Sequence, residues 1–299
     1  MVMCCVSCGI AEVDDIKLKM CDGGCDLVKY CSNGCQELHR PEHVVECKKR
    51  VGELRDKDLF MQPDGSHDGE CPICCLPLSL QAMKSNMMSC CSKLICHGCD
   101  YANKKREFEA RLEQRCVFCR EPLIKSIEDA ARNRKKRVKQ NCPVAIREEG
   151  KRYFNKEDYD TAVEYYEKAA ELGDAEAHSL LSVMYHEGRG VGKDMKKFFY
   201  HAEQAAIGGH PGARHNLGYE EKRNGRFDRA RKHWIIAANL GFHTSLLGVK
   251  ELYADEHASK EEYFDALRAY QAAIDATKSP EREKAEIAKK NLPASKIIS

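Results

Sequence analysis

With 299 residues, the chain has room for two or more domains rather than one large core. A formal charge of +2 singles out neither nucleic acid nor membrane as a partner, and no apolar run of about eighteen residues offers a spanning helix. The opening Met1-Val2-Met3-Cys4-Cys5 lacks the basic and apolar regions of a secretory signal, so an intracellular address, cytoplasmic or nuclear, is expected.

All 18 cysteines lie between Cys4 and Cys142. In a reducing compartment such dense pairs read as metal ligands rather than disulfides. The chain therefore divides by chemistry into a cysteine-rich front and a cysteine-free back.

The first pairs in chain order are Cys5-x2-Cys8, Cys21-x3-Cys25, Cys31-x3-Cys35 and His43-x3-Cys47. These eight ligands suffice for two closed tetrahedral zinc sites, and so short a segment buries too little apolar surface to fold without them. Cys5-Val-Ser-Cys8-Gly9, Tyr30-Cys31-Ser-Asn-Gly-Cys35-Gln36 and Pro41-Glu-His43-Val-Val-Glu-Cys47 resemble the MYND zinc finger, a small interaction module. That resemblance implies interleaved pairs: Cys5, Cys8, Cys31 and Cys35 on one Zn²⁺, and Cys21, Cys25, His43 and Cys47 on another. Arg40 stands where the family usually has tryptophan. Cys4 is expected to be a bystander and His39 a solvated helix residue. The module is expected over 1–50, with a linker over 51–69.

A second set follows: Cys71-x2-Cys74, the adjacent Cys90-Cys91, Cys96-x2-Cys99 and Cys116-x2-Cys119. Cys71-Pro-Ile-Cys74, Cys91-x4-Cys96-His-Gly-Cys99 and Cys116-Val-Phe-Cys119-Arg-Glu-Pro122 resemble a RING domain of an all-cysteine kind, expected over 70–124. The resemblance implies cross-bracing, with Cys71, Cys74, Cys96 and Cys99 on one ion and Cys90, Cys91, Cys116 and Cys119 on the other. Adjacent ligands depart from the family pattern, and Cys75 or His97 could replace Cys90. Four zinc ions are expected in all. The Lys-, Glu- and Ala-rich stretch from Asp100 to Arg115 predicts the intervening helix. Many such domains are ubiquitin ligases that hold a charged conjugating enzyme beside its substrate, so the gain is proximity and no side chain of the domain attacks. The resemblance assigns contacts with that enzyme to Ile73, Arg120 and Pro122. Phe108 or Leu112 would stand in for the family's missing tryptophan.

The run Arg132-Asn-Arg-Lys-Lys-Arg-Val-Lys139 reads as a solvated helix or part of a basic linker over 125–143; a nuclear-import signal is the alternative. No aromatic residue is interleaved, so nucleic acid is not an expected partner.

Beyond it, Ala169-Ala170, Ala205-Ala206 and Ala237-Ala238 recur with steps of 36 and 32 residues, and Ala272-Ala273 is a fainter fourth copy. Aromatic-rich stretches precede each pair, and small alanines let helices approach closely. The segments Ala177–Asp194 and Ala213–Tyr219 resemble the Sel-one-like repeat, and Glu149–Ala162 a tetratricopeptide repeat. Both imply an all-α solenoid over 144–280 that binds proteins, followed by a C-terminal helix and tail over 281–299.

Phosphate-cradling loops, nucleophile elbows and metalloprotease motifs do not occur. Two functions remain. One is a ubiquitin ligase that selects protein substrates through its MYND-like and repeat modules. The other is a non-enzymatic adaptor.

Overall fold

The structure, a computed structural model, describes residues 4–12, 16–124 and 126–290. The chain divides into two compact units, Met1–Met61 and Gln62–Ser299. Among the described residues it has twelve α-helices and two small sheets, and no helix is long and apolar enough to cross a membrane.

In the first unit, β1 (Lys19–Met20) pairs antiparallel with β2 (Lys29–Tyr30) in front of the long helix α1 (Asn33–Leu59). Ser32 caps α1 by accepting a hydrogen bond from the Cys35 amide, which leaves Cys31 just outside the helix and Cys35 in its first turn. His43 and Cys47 lie one turn apart, on the same face. Both are buried with Cys5, Leu18, Cys21, Cys25 and Tyr30. Arg50 clamps Asp26 with two hydrogen bonds of 2.5 and 2.8 Å, tying the hairpin loop to the helix. Helix α1 runs on through residue 50 to Leu59, so much of the stretch expected as a linker is helical.

The second unit begins with residues 62–69 and a cysteine-rich module. There β3 (Ser85–Met88) pairs antiparallel with β4 (Lys93–Cys96), which runs directly into α2 (His97–Glu109). The helix expected over 100–115 thus starts earlier and stops earlier. Cys96 caps it through a sulfur that accepts from the Cys99 amide, and Arg111, at φ 53°, turns the chain out of it. The basic run forms α3 (Ile127–Lys139), capped by Ser126 and packed on the first repeat helix, the helical of the two readings.

Four helix pairs follow: α4 (Pro143–Phe154) with α5 (Tyr159–Glu171), α6 (Ala175–Glu187) with α7 (Met195–Ile207), α8 (Pro211–Arg223) with α9 (Phe227–Asn239), and α10 (His243–Ala254) with α11 (Lys260–Ala276). The three Ala-Ala anchors are buried in the second helix of their pairs, as small residues at close crossings should be. The fourth differs: Ala272 is exposed, and Ala266 takes the buried place. Tyr166, Phe198 and Trp234 fill the space between helices, and Trp234 Nε1 donates to the carbonyl of His215 at 3.1 Å. Between the first two pairs, buried Arg147 holds Asp174 at 2.9 and 3.0 Å, while Asp174 also caps α6 through the Ala177 amide at 2.8 Å.

The last helix, α12 (Pro280–Lys290), returns to the cysteine-rich module and lies across α2. A methyl group on Gly98 would stand 2.8 Å from the Arg282 backbone nitrogen, which measures how closely the two helices meet. The expected tail beyond residue 290 lies outside the described residues.

Candidate metal centres

The structure brings the sixteen expected ligands together as four sets of four: Cys5, Cys8, Cys31 and Cys35; Cys21, Cys25, His43 and Cys47; Cys71, Cys74, Cys96 and Cys99; and Cys90, Cys91, Cys116 and Cys119. Within each set the ligand atoms lie within 4.8 Å of one another. Sulfur–sulfur separations are 3.5 Å for Cys8–Cys31, 3.7 Å for Cys21–Cys47, 3.8 Å for Cys74–Cys96 and 4.0 Å for Cys91–Cys116. A Zn–S bond of about 2.3 Å gives a tetrahedron edge of about 3.8 Å, so the donor sets fit zinc.

Three of the Cys-x2-Cys pairs are built alike. The residue after the second cysteine donates its amide to the carbonyl of the first: Gly9 to Cys5 at 2.9 Å, Cys75 to Cys71 at 2.8 Å and Arg120 to Cys116 at 3.0 Å. Each of those residues has a positive φ, 77°, 54° and 63° in turn. The turn aims both thiols inward and is closed by a bridge such as Glu70 with Pro77 or Arg115 with Pro122. Cys75 thus occupies the position that Gly9 fills in the first pair, and it is exposed, outside the clusters.

The adjacent pair is accommodated by the reversal between β3 and β4. Cys91 and Ser92 both donate their amides to the Met88 carbonyl, and Ser92 adopts φ 56°. That turn sends Cys90 to within 3.4 Å of the Cys119 sulfur. His97 faces elsewhere, with Nε2 2.9 Å from Asn86 Oδ1. His39 is half-buried rather than solvated, with Nδ1 2.9 Å from the Tyr30 hydroxyl and its ring stacked on His43. Arg40 pairs with Asp22 at the surface, at 3.2 Å.

The clustered thiols shift one another's proton affinities. Hydrogen bonds with Cys8 and Cys35 push the Cys31 thiol up to about 12. Burial, with Cys21 alongside, takes Cys47 to about 11, and burial among the other cysteines raises Cys90. Bound to a cation, the same thiols would be held as thiolates, because the ion offsets their mutual repulsion.

Guanidinium groups from outside the module reach both all-cysteine clusters of the second unit. Arg282 Nη2 donates to the Cys74 sulfur at 3.4 Å and to the Leu76 carbonyl at 3.1 Å, while Nη1 donates to the Pro77 carbonyl at 2.7 Å. Arg137 on α3 donates to the Cys91 carbonyl at 3.3 Å. Neither contact was legible in the sequence, because Arg282 lies 208 positions from Cys74.

Of the expected partner contacts, Ile73 is 41% exposed and Pro122 is exposed. Phe108 and Leu112, at 77% and 60%, stand in solvent. Arg120 is exposed too, and its Nη1 donates to Asn103 Oδ1 at 3.2 Å.

Residues 5–47 match the family model of the MYND finger. Residues 148–174, 175–210 and 212–242 match that of the Sel1 repeat. Among solved structures, a Sel1 repeat protein from Oxalobacter formigenes is 26% identical at a TM-score of 0.45, with 52% of this chain and 66% of that one covered. A protective antigen present in uropathogenic Escherichia coli strains, displaying an SLR fold, is 22% identical at a TM-score of 0.40, with 59% of this chain and 38% of that one covered. No curated protein matches. The chain thus carries a MYND finger and Sel1 repeats, and its cysteine-rich front is a zinc-binding region ahead of a helical-repeat solenoid.

Proposed function

We propose that the second cysteine-rich module is a RING-type finger, that the chain binds four zinc ions through the sixteen residues above, and that it acts as a ubiquitin ligase. In this reading the ions are structural, since each set is closed by four protein ligands. The RING recruits a charged conjugating enzyme, while the MYND finger and the Sel1 repeats select protein substrates. The observation that carries the reading is the alternation of the pairs. Cys71 and Cys74 meet Cys96 and Cys99, while Cys90 and Cys91 meet Cys116 and Cys119. Cross-bracing of this kind leaves Ile73 and Pro122 on exposed turns, available to a partner.

A specific observation favours the second reading, a non-enzymatic adaptor. The Arg120 side chain, which would have to bridge ubiquitin and the conjugating enzyme, is bonded to Asn103 of its own module. An in-vitro self-ubiquitination assay across a panel of conjugating enzymes separates the two. With zinc content measured, the wild type should build chains and Ile73→Ala should lose roughly tenfold or more, as removal of a buried apolar anchor does. Fully zinc-loaded wild-type protein that stays silent with every enzyme would leave the adaptor.

A further inference from the structure

Residues 62–68 lie against the repeat array as a bound peptide would. Asn239, the last residue of α9, donates its side-chain amide to Gln62 Oε1 at 3.1 Å. The His67 amide donates to the Gly209 carbonyl, in the turn between α7 and α8, at 3.1 Å. The His67 ring stacks on His210 with centroids 4.2 Å apart, and its Nε2 lies 3.4 Å from Glu176 Oε2 in the first turn of α6. The segment therefore crosses the ends of two successive helix pairs, α8 with α9 and then α6 with α7, in the direction opposite to their order in the chain. Its backbone comes close enough to impose a residue on the array: at Gly209, φ +80°, an added methyl would stand 2.8 Å from the Gly65 carbonyl oxygen.

His67, Glu176 and His210 offer two imidazoles and a carboxylate within 4.8 Å, a set that a metal ion could use. The hydrogen bonding argues otherwise. His210 Nδ1 caps α8 by accepting from the Ala213 amide at 3.0 Å, so the ring proton sits on Nε2 and is donated to Glu176 Oε2 at 2.8 Å. An ion at that Nε2 would require the proton to move to Nδ1 and the cap to break. Lys151 Nζ, 3.3 Å from Glu176 Oε1, already supplies a positive charge to the carboxylate.

We propose that this edge of the array, built by Glu176, Gly209, His210 and Asn239, is a recognition groove for a peptide that presents a histidine at a turn, and that residues 62–68 occupy it in cis. Gly209 of the array allows the backbone approach, the amide of the histidine pairs with the Gly209 carbonyl, and the imidazole stacks on His210 and reaches Glu176. The proposal stands apart from the assignment of a RING. A tethered segment has an effective concentration on the order of millimolar, so the groove is closed to weaker competitors until the segment is displaced.

The test uses the full chain. A fluorescently labelled peptide spanning Gln62–Glu70 is titrated against wild type, His67→Ala and His67→Ala/His210→Ala, with hydrogen exchange of residues 62–69 followed in each. The proposal expects faster exchange in His67→Ala, binding at least roughly tenfold tighter than to wild type because the tethered competitor is weakened, and loss of that gain in the double variant. Unchanged protection of 62–69 in His67→Ala would overturn it, since the histidine would then not anchor the segment. So would an opened segment with no peptide binding, or binding that appears only when Zn²⁺ is added.

Discussion

At the scale of single residues, local geometry decides which cysteines take part. Cys75 sits among thiols but occupies the left-handed position of its turn, where Gly9 and Arg120 stand in the corresponding turns. Cys90 joins its cluster because Ser92 tolerates a positive φ directly after the adjacent pair. Arg282 belongs to this scale as well. A zinc ion held by four thiolates carries net negative charge, and a guanidinium bonded to the Cys74 sulfur and two carbonyls of the same loop offsets it while holding the loop in shape. Outer contacts of this kind are worth roughly 10–100-fold in metal affinity. Arg282→Met should therefore release zinc to a chromophoric chelator roughly ten times faster or more, with helix content preserved. An unchanged release rate would make the arginine a surface contact only.

At the scale of elements, pairs of helices are joined by buried polar contacts as well as by alanine packing. Asp174 both caps α6 and accepts from Arg147, whose side chain is only 10% exposed. Asp174→Ala would leave that guanidinium with Glu148, 3.3 Å from its Nε, and would remove the α6 cap; breaking a buried pair costs about 3–5 kcal/mol. Chemical denaturation should show a loss of that order, and a change under about 1 kcal/mol would show that the pair is solvated. Much at this scale could be read in advance. The Ala-Ala periodicity placed α5, α7 and α9, because helices that cross closely tolerate little else at the contact. It failed at the fourth copy, where Ala272 faces solvent and the packing contact moves to Ala266. The start of α2 at His97 was missed, and α3 was open between a helix and a linker. A cysteine sulfur acting as a cap leaves no propensity signal of its own, whereas the packing of α3 on α4 depends on contacts that composition does not show.

At the scale of the whole chain, spacing marked the short ligand pairs, and the resemblance to known zinc fingers implied how those pairs combine into sets. It left one position open among Cys90, Cys75 and His97. Contacts between distant segments were beyond it: Arg282 with the Cys71–Leu78 loop, and His67 with Glu176 and His210, depend on how the second unit closes on itself. Within that unit the cysteine-rich module is held from two sides, by α3 leading into the array and by α12 returning from it. The repeats and the module therefore form one structural unit, joined through side chains at known positions.

The most direct test is zinc stoichiometry by native mass spectrometry on wild type, Cys75→Gly and Cys90→Ser. Four cross-braced and interleaved sites predict four ions in the wild type, four in Cys75→Gly, which only relaxes a turn, and three in Cys90→Ser. A wild type that binds fewer than four ions, or a Cys90→Ser protein that keeps its full complement while Cys75→Gly loses one, would contradict the assignment on which the proposed function rests.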